Sequence, residues 1–498
     1  MPENKKKLKK EVEEGIISRI VRFFYPDIES HEVTKFGLFA MAFFFIIGTY
    51  WVLRLMKDEL VFSYCFPNPK EVLNWNIDGL TEWWPKGYGG RLQPKLKLYS
   101  AGVVFALVMV YTQLIDMFKK HKLFYIFSAV YMSLFTCVAG VLVYSELFGK
   151  YAAGKTLLAT TGIASYFLIE SFGSLVISLF WSFTNSCFKS SEAKRSYAFL
   201  IAVAQIGSIT GSASVGLRLP NSAFFFLSVL LIGGVAYTVK YIIDVVPEEQ
   251  LKSDATEKKQ KPDLLAGARL LFTRPYLLGV LVVSTFYEIA KTVIDYEMKT
   301  LGNIVMGASE GGFKAFLSTY GVLTNSLAFL IAILGASKII KRYGVRFSLM
   351  LYPVLFAIAL IVQYVYFQSS GITSIDAELA KANPDLMVKY TSLLYVTMGT
   401  MLFVTAISYA VNNPTKEMMY IPTSKDAKFK AKGLVDMVGG RSAKMSGAQI
   451  TNNFKSVPIE LFTVGSYICF GIVGIWTVVA LYVGTRNQQL VKEKKIIE

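Results

Sequence analysis

Two histidines and four cysteines are all that 498 residues contain of the commonest transition-metal and redox ligands. Cys65, Cys137, Cys187 and Cys469 have no CxxC spacing, so neither a zinc pattern nor a dithiol redox motif can be built from them. His31 and His121 each stand beside charged residues at the edge of an apolar run, where solvation is expected, and no metal site emerges. Acids are scarce too: 35 Asp and Glu against 52 Lys and Arg leave a net charge of +17. Met1 to Glu14 is charged and includes several acids. It lacks the apolar core and small-residue cleavage site of a secretory signal, and the Ser/Arg-rich, acid-poor character of a transit peptide.

What the chain has is apolar length. It is 53% hydrophobic and 14% aromatic, with mean hydropathy +0.45, too apolar over too many long stretches for one soluble core. Runs able to cross about 30 Å of hydrocarbon begin near residues 36, 97, 123, 158, 196, 222, 276, 315, 345, 389, 433 and 459, the eleventh being weak. The spacing predicts an all-α, polytopic membrane protein of about twelve helices. Its basic residues alternate: Lys5 to Lys10, Lys119 to Lys122, Lys189 to Arg195, Lys252 to Arg274, Lys338 to Arg346, Lys416 to Lys432 and Lys492 to Lys495 fall on one side. That side is cytoplasmic by the positive-inside tendency, with both termini on it. A nucleic-acid binder would gather its cations on one groove instead. With no cleavable presequence visible, a bacterial inner membrane is the expected location.

The connection from about Val246 to Pro275 is the longest basic one and divides the runs six and six. The expected organisation is a tail (1–35), a six-helix bundle (36–245), a cytoplasmic linker (246–275), a second bundle (276–485) and a closing tail (486–498). Paired halves of this kind are the architecture of major facilitator transporters, whose substrates bind at the midplane. The connection from Tyr64 to Gln93 is long and carries Trp75, Trp83, Trp84 and Pro85, which suits aromatic anchoring at the membrane surface.

Two motifs mislead. Gly149 to Thr156 spells GxxxxGKT, but a phosphate loop needs a strand before it and a helix after it, and this segment joins two predicted spans. ATP hydrolysis there is the contrasting enzyme reading, disfavoured by context. Lys57 to Leu60 spells KDEL, which is read only at a C-terminus.

Charges at membrane depth carry the chemistry, because each costs several kcal/mol unless it faces a partner or water. Glu170 stands alone within the run from Leu157 to Phe183. Arg54, Lys57 and Asp58 share one helical face; they either snorkel to headgroups or point into a cavity. Glu288, Lys291, Asp295 and Lys299 follow +3, +4, +4 spacing, which suits either an internal salt-bridge ladder or gate and coupling groups. Arg441 and Lys444 lie within a glycine-rich run. The small residues serve helix packing, as Gly207 and Gly211 do in the fifth run, but packing does not need two cations. Cations of this kind attract phosphate oxygens. From the residues alone the reading is a carrier of organic anions.

Several segments resemble the nucleotide transporter family of intracellular bacteria and plastids, the non-mitochondrial ATP/ADP translocases. They are Leu53 to Asp58, Glu170 to Ser174 with Leu179 to Trp181 and Asn185, Glu192 to Tyr197, Asn413 to Pro422, Lys430 to Gly433, and Gly439 to Arg441 with Lys444 and Ser446-Gly447. The resemblance implies a twelve-helix, facilitator-like carrier that exchanges ATP for ADP and phosphate without hydrolysing them and without a cofactor. It implies four transport positions at Lys57, Glu170, Asp295 and Lys444. Asp295 stands where the family usually has glutamate, Met298 where tryptophan is expected, Ala443 for glycine and Ser408 for lysine. Some relatives import nucleotides with protons, so proton-coupled import of a nucleotide or other organic anion is the alternative. The expected substrate ligands are Arg54, Lys57, Arg441 and Lys444. Glu170, Glu288, Lys291 and Asp295 are the expected gating or coupling groups. A nucleotide and the lipid bilayer are the expected partners, with no nucleic acid and no required protein partner.

Overall fold

The computed structural model describes residues 21, 25–29, 31–66, 89–251 and 264–497, apart from 308, 310, 335, 425, 426, 428–430 and 433. The expected anchoring role of Trp75, Trp83 and Trp84 falls outside the described residues. Among those residues the fold is helical, and the β contact is a single bridge between Thr423 and Ile497.

Twelve helices follow the twelve apolar runs, eleven of them long and the eleventh in order short. The first six are α1 (Val33–Glu59), which continues through a π-turn at Leu60–Tyr64, α2 (Gln93–Met117), α3 (Lys120–Phe148), α4 (Lys155–Cys187), α5 (Ser190–Val215) and α6 (Asn221–Val245). The second six are α7 (Pro275–Met306), α8 (Gly312–Leu334), α9 (Ala336–Ser369), α10 (Pro384–Ile407), α11 (Gly440–Phe454) and α12 (Ser466–Lys492). Ten stretches among the described residues are long and apolar enough to cross a membrane; α8 and α11 are outside that ten. The chain is a multi-pass membrane protein.

Local chemistry sets the ends. Pro275 opens α7 and Pro384 opens α10 at positions whose N–H has no helical acceptor. Asn383 caps α10 by accepting from the N–H groups of Asp385 and Leu386 at 3.1 and 3.2 Å. Between α3 and α4, Gly149 and Gly154 hold φ of 106° and 88°, a region costly for other residues. The GxxxxGKT segment is therefore a tight turn between membrane helices, with no strand before it.

The two sets of six pack by one rule. α1 contacts α4, α5 and α6, α3 contacts α4 and α6, and α2 contacts α4. Adding six to each number gives the second set: α7 with α10, α11 and α12, α9 with α10 and α12, and α8 with α10. Between the sets, α5 meets α8 and α2 meets α11, which are again exchanged by that shift, while α1 also meets α8 without an equal counterpart between α7 and α2. The architecture is two six-helix bundles of the major facilitator type.

Lipid is as apolar as the protein core, so helix association rests on close packing and hydrogen bonds. Gly207 brings α5 against α1 so closely that a Cβ there would lie 2.5 Å from the Phe44 carbonyl, and Gly211 meets Gly48 in the same way. Gly447 does the same for α11 on α7, where a Cβ would lie 2.6 Å from the Ile289 carbonyl. The glycine-rich run thus does pack a helix, and Lys444, one turn before Gly447, meets Glu288 on the same neighbour, α7.

Candidate functional site

α1, α4, α7 and α11 bring their charges to one place. Lys57 of α1 donates to the Glu170 carboxylate of α4, and its ammonium sits 4.6 Å from the Tyr166 ring centroid. Lys444 of α11 lies 4.0 Å from Glu288 of α7. Its side chain is 54% exposed, yet it lies within electrostatic reach of Tyr50, Arg54 and Glu170 on the opposite bundle. Arg441, one turn earlier, also feels Glu170. A side chain that is open to water and surrounded by charges from three other helices lines a wet internal chamber. It does not reach outward to headgroups.

Lys57 and Asp58 are adjacent in sequence but face different partners. Lys57 turns to α4, whereas Asp58 accepts from Lys299 of α7 at 2.9 Å. Lys299 also donates to Asp295, one helical turn away, at 2.7 Å. Lys97 of α2 lies 3.5 Å from the same Asp295 oxygen, Oδ2. Asp58, Lys299, Asp295 and Lys97 therefore form a nearly dry layer in which both ion-pair links between helices cross from one bundle to the other. All four stand toward the ends of α1, α2 and α7 that lie away from the termini. Asp58 Oδ1 and Asp295 Oδ1 are buried without a hydrogen bond, leaving acceptor capacity that is costly to bury.

Arg54 stacks over Trp51 at 4.7 Å and is flanked by Tyr50, Tyr320, Tyr409 and Asp295. It connects the chamber to the dry layer. Of the charged stripe on α7, the link from Asp295 to Lys299 is made within the helix. Glu288 turns to Lys444 instead, and Lys291 stays within electrostatic reach of Glu288.

Three participants were not legible. Lys97 opens the second apolar run, where a lysine reads as a headgroup anchor. Glu59, next to Asp58, is buried, with Lys314 of α8 as its main cationic influence. Glu297 is buried between α7 and α9, where Gln363 donates to it at 2.8 Å. Its +2 offset from Asp295 took it off the charged stripe, and that offset was the available signal. On the terminal side, Lys35 pairs with Glu192 at 2.8 Å and Arg195 pairs with Glu32, ties that stay within the first bundle. Among the described residues no group of histidine, cysteine and carboxylate ligands could hold a metal ion.

A family model described as TLC ATP/ADP transporter matches residues 87–487. The chain is 24% identical over 476 residues to ADP,ATP carrier protein 1 of Rickettsia typhi, covering 89% of each. It is 24% identical over 505 residues to ADP,ATP carrier protein 1 of Chlamydia muridarum, covering 92% of this chain and 89% of the relative. In fold it is similar to a bacterial homologue of the iron transporter ferroportin in an inward-facing state. There the TM-score is 0.53 at 14% identity, over 88% of this chain and 98% of that one.

Proposed function

This chain belongs to the TLC ATP/ADP transporter family, and from that premise we propose that it exchanges ATP for ADP, with phosphate, by alternating access. It is a secondary transporter and not a hydrolase. The observation that carries the reading is the pair of lysines on opposite bundles, Lys57 and Lys444, each held by a carboxylate of its own bundle within one charged chamber. A polyphosphate offers more acceptor oxygens than one carboxylate and competes for both lysines. Arg441 and Arg54 add fork-shaped donors on either side. Glu170 and Glu288 take the lysines back as the nucleotide leaves, so that a bundle can turn without an uncompensated buried cation.

The moving bodies in this reading are 36–245 and 276–485, joined by the 246–275 linker. The layer of Asp58, Lys299, Asp295 and Lys97 is the gate at the end away from the termini, and the terminal-side ion pairs within the first bundle leave the other end free to part. Lys291 tunes Glu288. The alternating basic connections support termini in the cytoplasm and a bacterial inner membrane.

The test is uptake of labelled ATP by proteoliposomes preloaded with ADP or with buffer, with and without a pH gradient. Exchange requires internal ADP and is indifferent to the gradient. Uptake into unloaded vesicles that follows the gradient would replace this reading with proton-coupled import.

A further inference from the structure

Beyond the charged layer, at the end of the molecule away from the termini, lies a cavity of about 410 Å³, within the size range of small-molecule sites. Both bundles build it. Arg91, at the end of a short turn leading into α2, and Lys455, directly after α11, enter from opposite bundles. Tyr296 and Thr300, the sequence neighbours of Asp295 and Lys299, line it next to the gate.

Cations outnumber acids here: Arg91, Lys381 and Lys455 line the cavity, with Lys95 behind Lys455, against Asp376 and Glu378. Asp376 lines the cavity, but its carboxylate already accepts from the N–H groups of Glu378 and Leu379 at 2.8 and 3.1 Å. Glu378 lies 3.5 Å from Lys381. Arg91 has no carboxylate partner among the described residues, and the Lys455 ammonium donates to a neutral acceptor, Asn452 Oδ1, at 2.8 Å. Lys95 of α2 packs against Lys455, with Arg91 in electrostatic reach. Burial and these two cations hold the Lys455 ammonium down to about 8. Three half-buried cations crowd together with no carboxylate in ion-pair range of them among the described residues, an arrangement that favours a bridging anion. The fork of Arg91 suits phosphate oxygens. Across the cavity, Phe62, Phe66 and Tyr296 offer an apolar aromatic wall to a base.

Resting on the exchange reading, we propose that this cavity is a second nucleotide site, which captures the polyphosphate outside the closed gate before the central chamber receives it. Arg91 and Lys455, with Lys95 behind them, hold the phosphates, and the aromatic wall holds the base side. Because its cations come from both bundles, the bound anion also screens their repulsion while the gate is shut.

The test uses intact cells expressing the full chain, with labelled ATP outside. The Arg91→Gln, Lys455→Gln double variant should raise the external KM about tenfold, the loss expected for two charge-assisted contacts in a wet site. Its maximal rate, normalised to protein in the membrane, should stay within about twofold, and the KM for efflux of preloaded nucleotide should not change. Lys455→Arg should behave as wild type. External pyrophosphate should compete with ATP better than orthophosphate does. An unchanged external KM overturns the proposal, as does an equal rise in the efflux KM, which would mark a general defect. Should the double variant not reach the membrane, the two single variants carry the same test at about threefold each. A wild-type KM that follows the anionic-lipid content of reconstituted vesicles and ignores pyrophosphate would assign the cations to lipid headgroups and overturn it too. Absence of uptake by the wild-type chain would sink the exchange reading itself, a result separate from all of these.

Discussion

A lysine at membrane depth is tolerated when a partner neutralises it and useful when that partner can be exchanged. Lys57 and Lys444 fit both conditions: each faces one carboxylate, and water reaches Lys444 directly and the partly exposed Glu170 that holds the buried Lys57. Lys57→Ala and Lys444→Ala should each lower ATP uptake by about a hundredfold or more, the scale of losing a charge-assisted contact in a polar cavity. Uptake within a factor of about two of wild type, at equal membrane level, would remove the residue from the site. Lys455 lies outside the spans and makes a prediction of different sign. Its ammonium is depressed to about 8 by burial, Lys95 and Arg91, so it is charged at neutral pH and neutral at alkaline pH. The other groups facing that cavity are Lys381, Asp376 and Glu378. Raising external pH from about 7 to about 9 should therefore raise the external KM several-fold, and Lys455→Arg should flatten that response. A wild-type KM independent of pH over the same interval would contradict it.

At the scale of the helix, length and apolarity were enough to place ten of the twelve helices, since crossing hydrocarbon demands both; α8 and α11 fall outside that ten. The weak eleventh run became α11, a short helix carrying Arg441 and Lys444 within its glycine-rich stretch. Its cations and its glycines are not competing explanations: Gly447 lets α11 approach α7 closely, and Lys444, one turn away, pairs with Glu288 of that same helix. What spacing left open was which neighbour each charged residue would choose. The +3, +4, +4 stripe on α7 allowed a ladder within the helix, yet Glu288 reaches α11 and Lys299 reaches α1, because side chains at that spacing are also free to point at adjacent helices. Lys97 was hidden for a related reason: nothing within α2 marks it as a partner of α7. The glycine contacts give the prediction proper to this scale. Gly207→Leu and Gly447→Leu each force a backbone apart and should cost about 1–3 kcal/mol by overpacking, read as a lowered Tm of the detergent-solubilised protein. Gly399→Ala, where a Cβ meets nothing within 4 Å, is the matching control and should leave Tm unchanged. Equal Tm values across the three would mean that the close approaches do not hold the bundles together.

For the whole molecule, the proposed cycle has the two bundles rock about the α2 to α11 and α5 to α8 contacts, which the repeated contact pattern sets between them. That symmetry is absent from residue-level likeness because the two bundles share helix positions without sharing side chains. Ser318 donates to the Ser212 carbonyl at 2.8 Å and Lys314 to the Leu219 carbonyl at 2.6 Å, tying α8 to the end of α5. In the proposed cycle the element that opens is the buried charged layer between the bundles. Its central member is Lys299, 6% exposed and shared by Asp58 and Asp295. Lys299→Gln leaves two buried carboxylates facing each other, a penalty of about 3–5 kcal/mol that applies only while the layer is shut. Opening relieves it, so the population open at the end away from the termini should rise by about a hundredfold or more. A cysteine at Ser174, one turn from Glu170, reports this in a Cys137→Ser background, because Cys137 is the exposed native thiol while Cys65, Cys187 and Cys469 are buried. A membrane-impermeant maleimide added outside intact cells should label that cysteine much faster when Lys299→Gln is also present. Excess Lys should not slow the labelling, whereas ATP should, by occupying the chamber. Equal labelling rates with and without Lys299→Gln would mean that this layer is a static brace between the bundles and that the gate lies elsewhere.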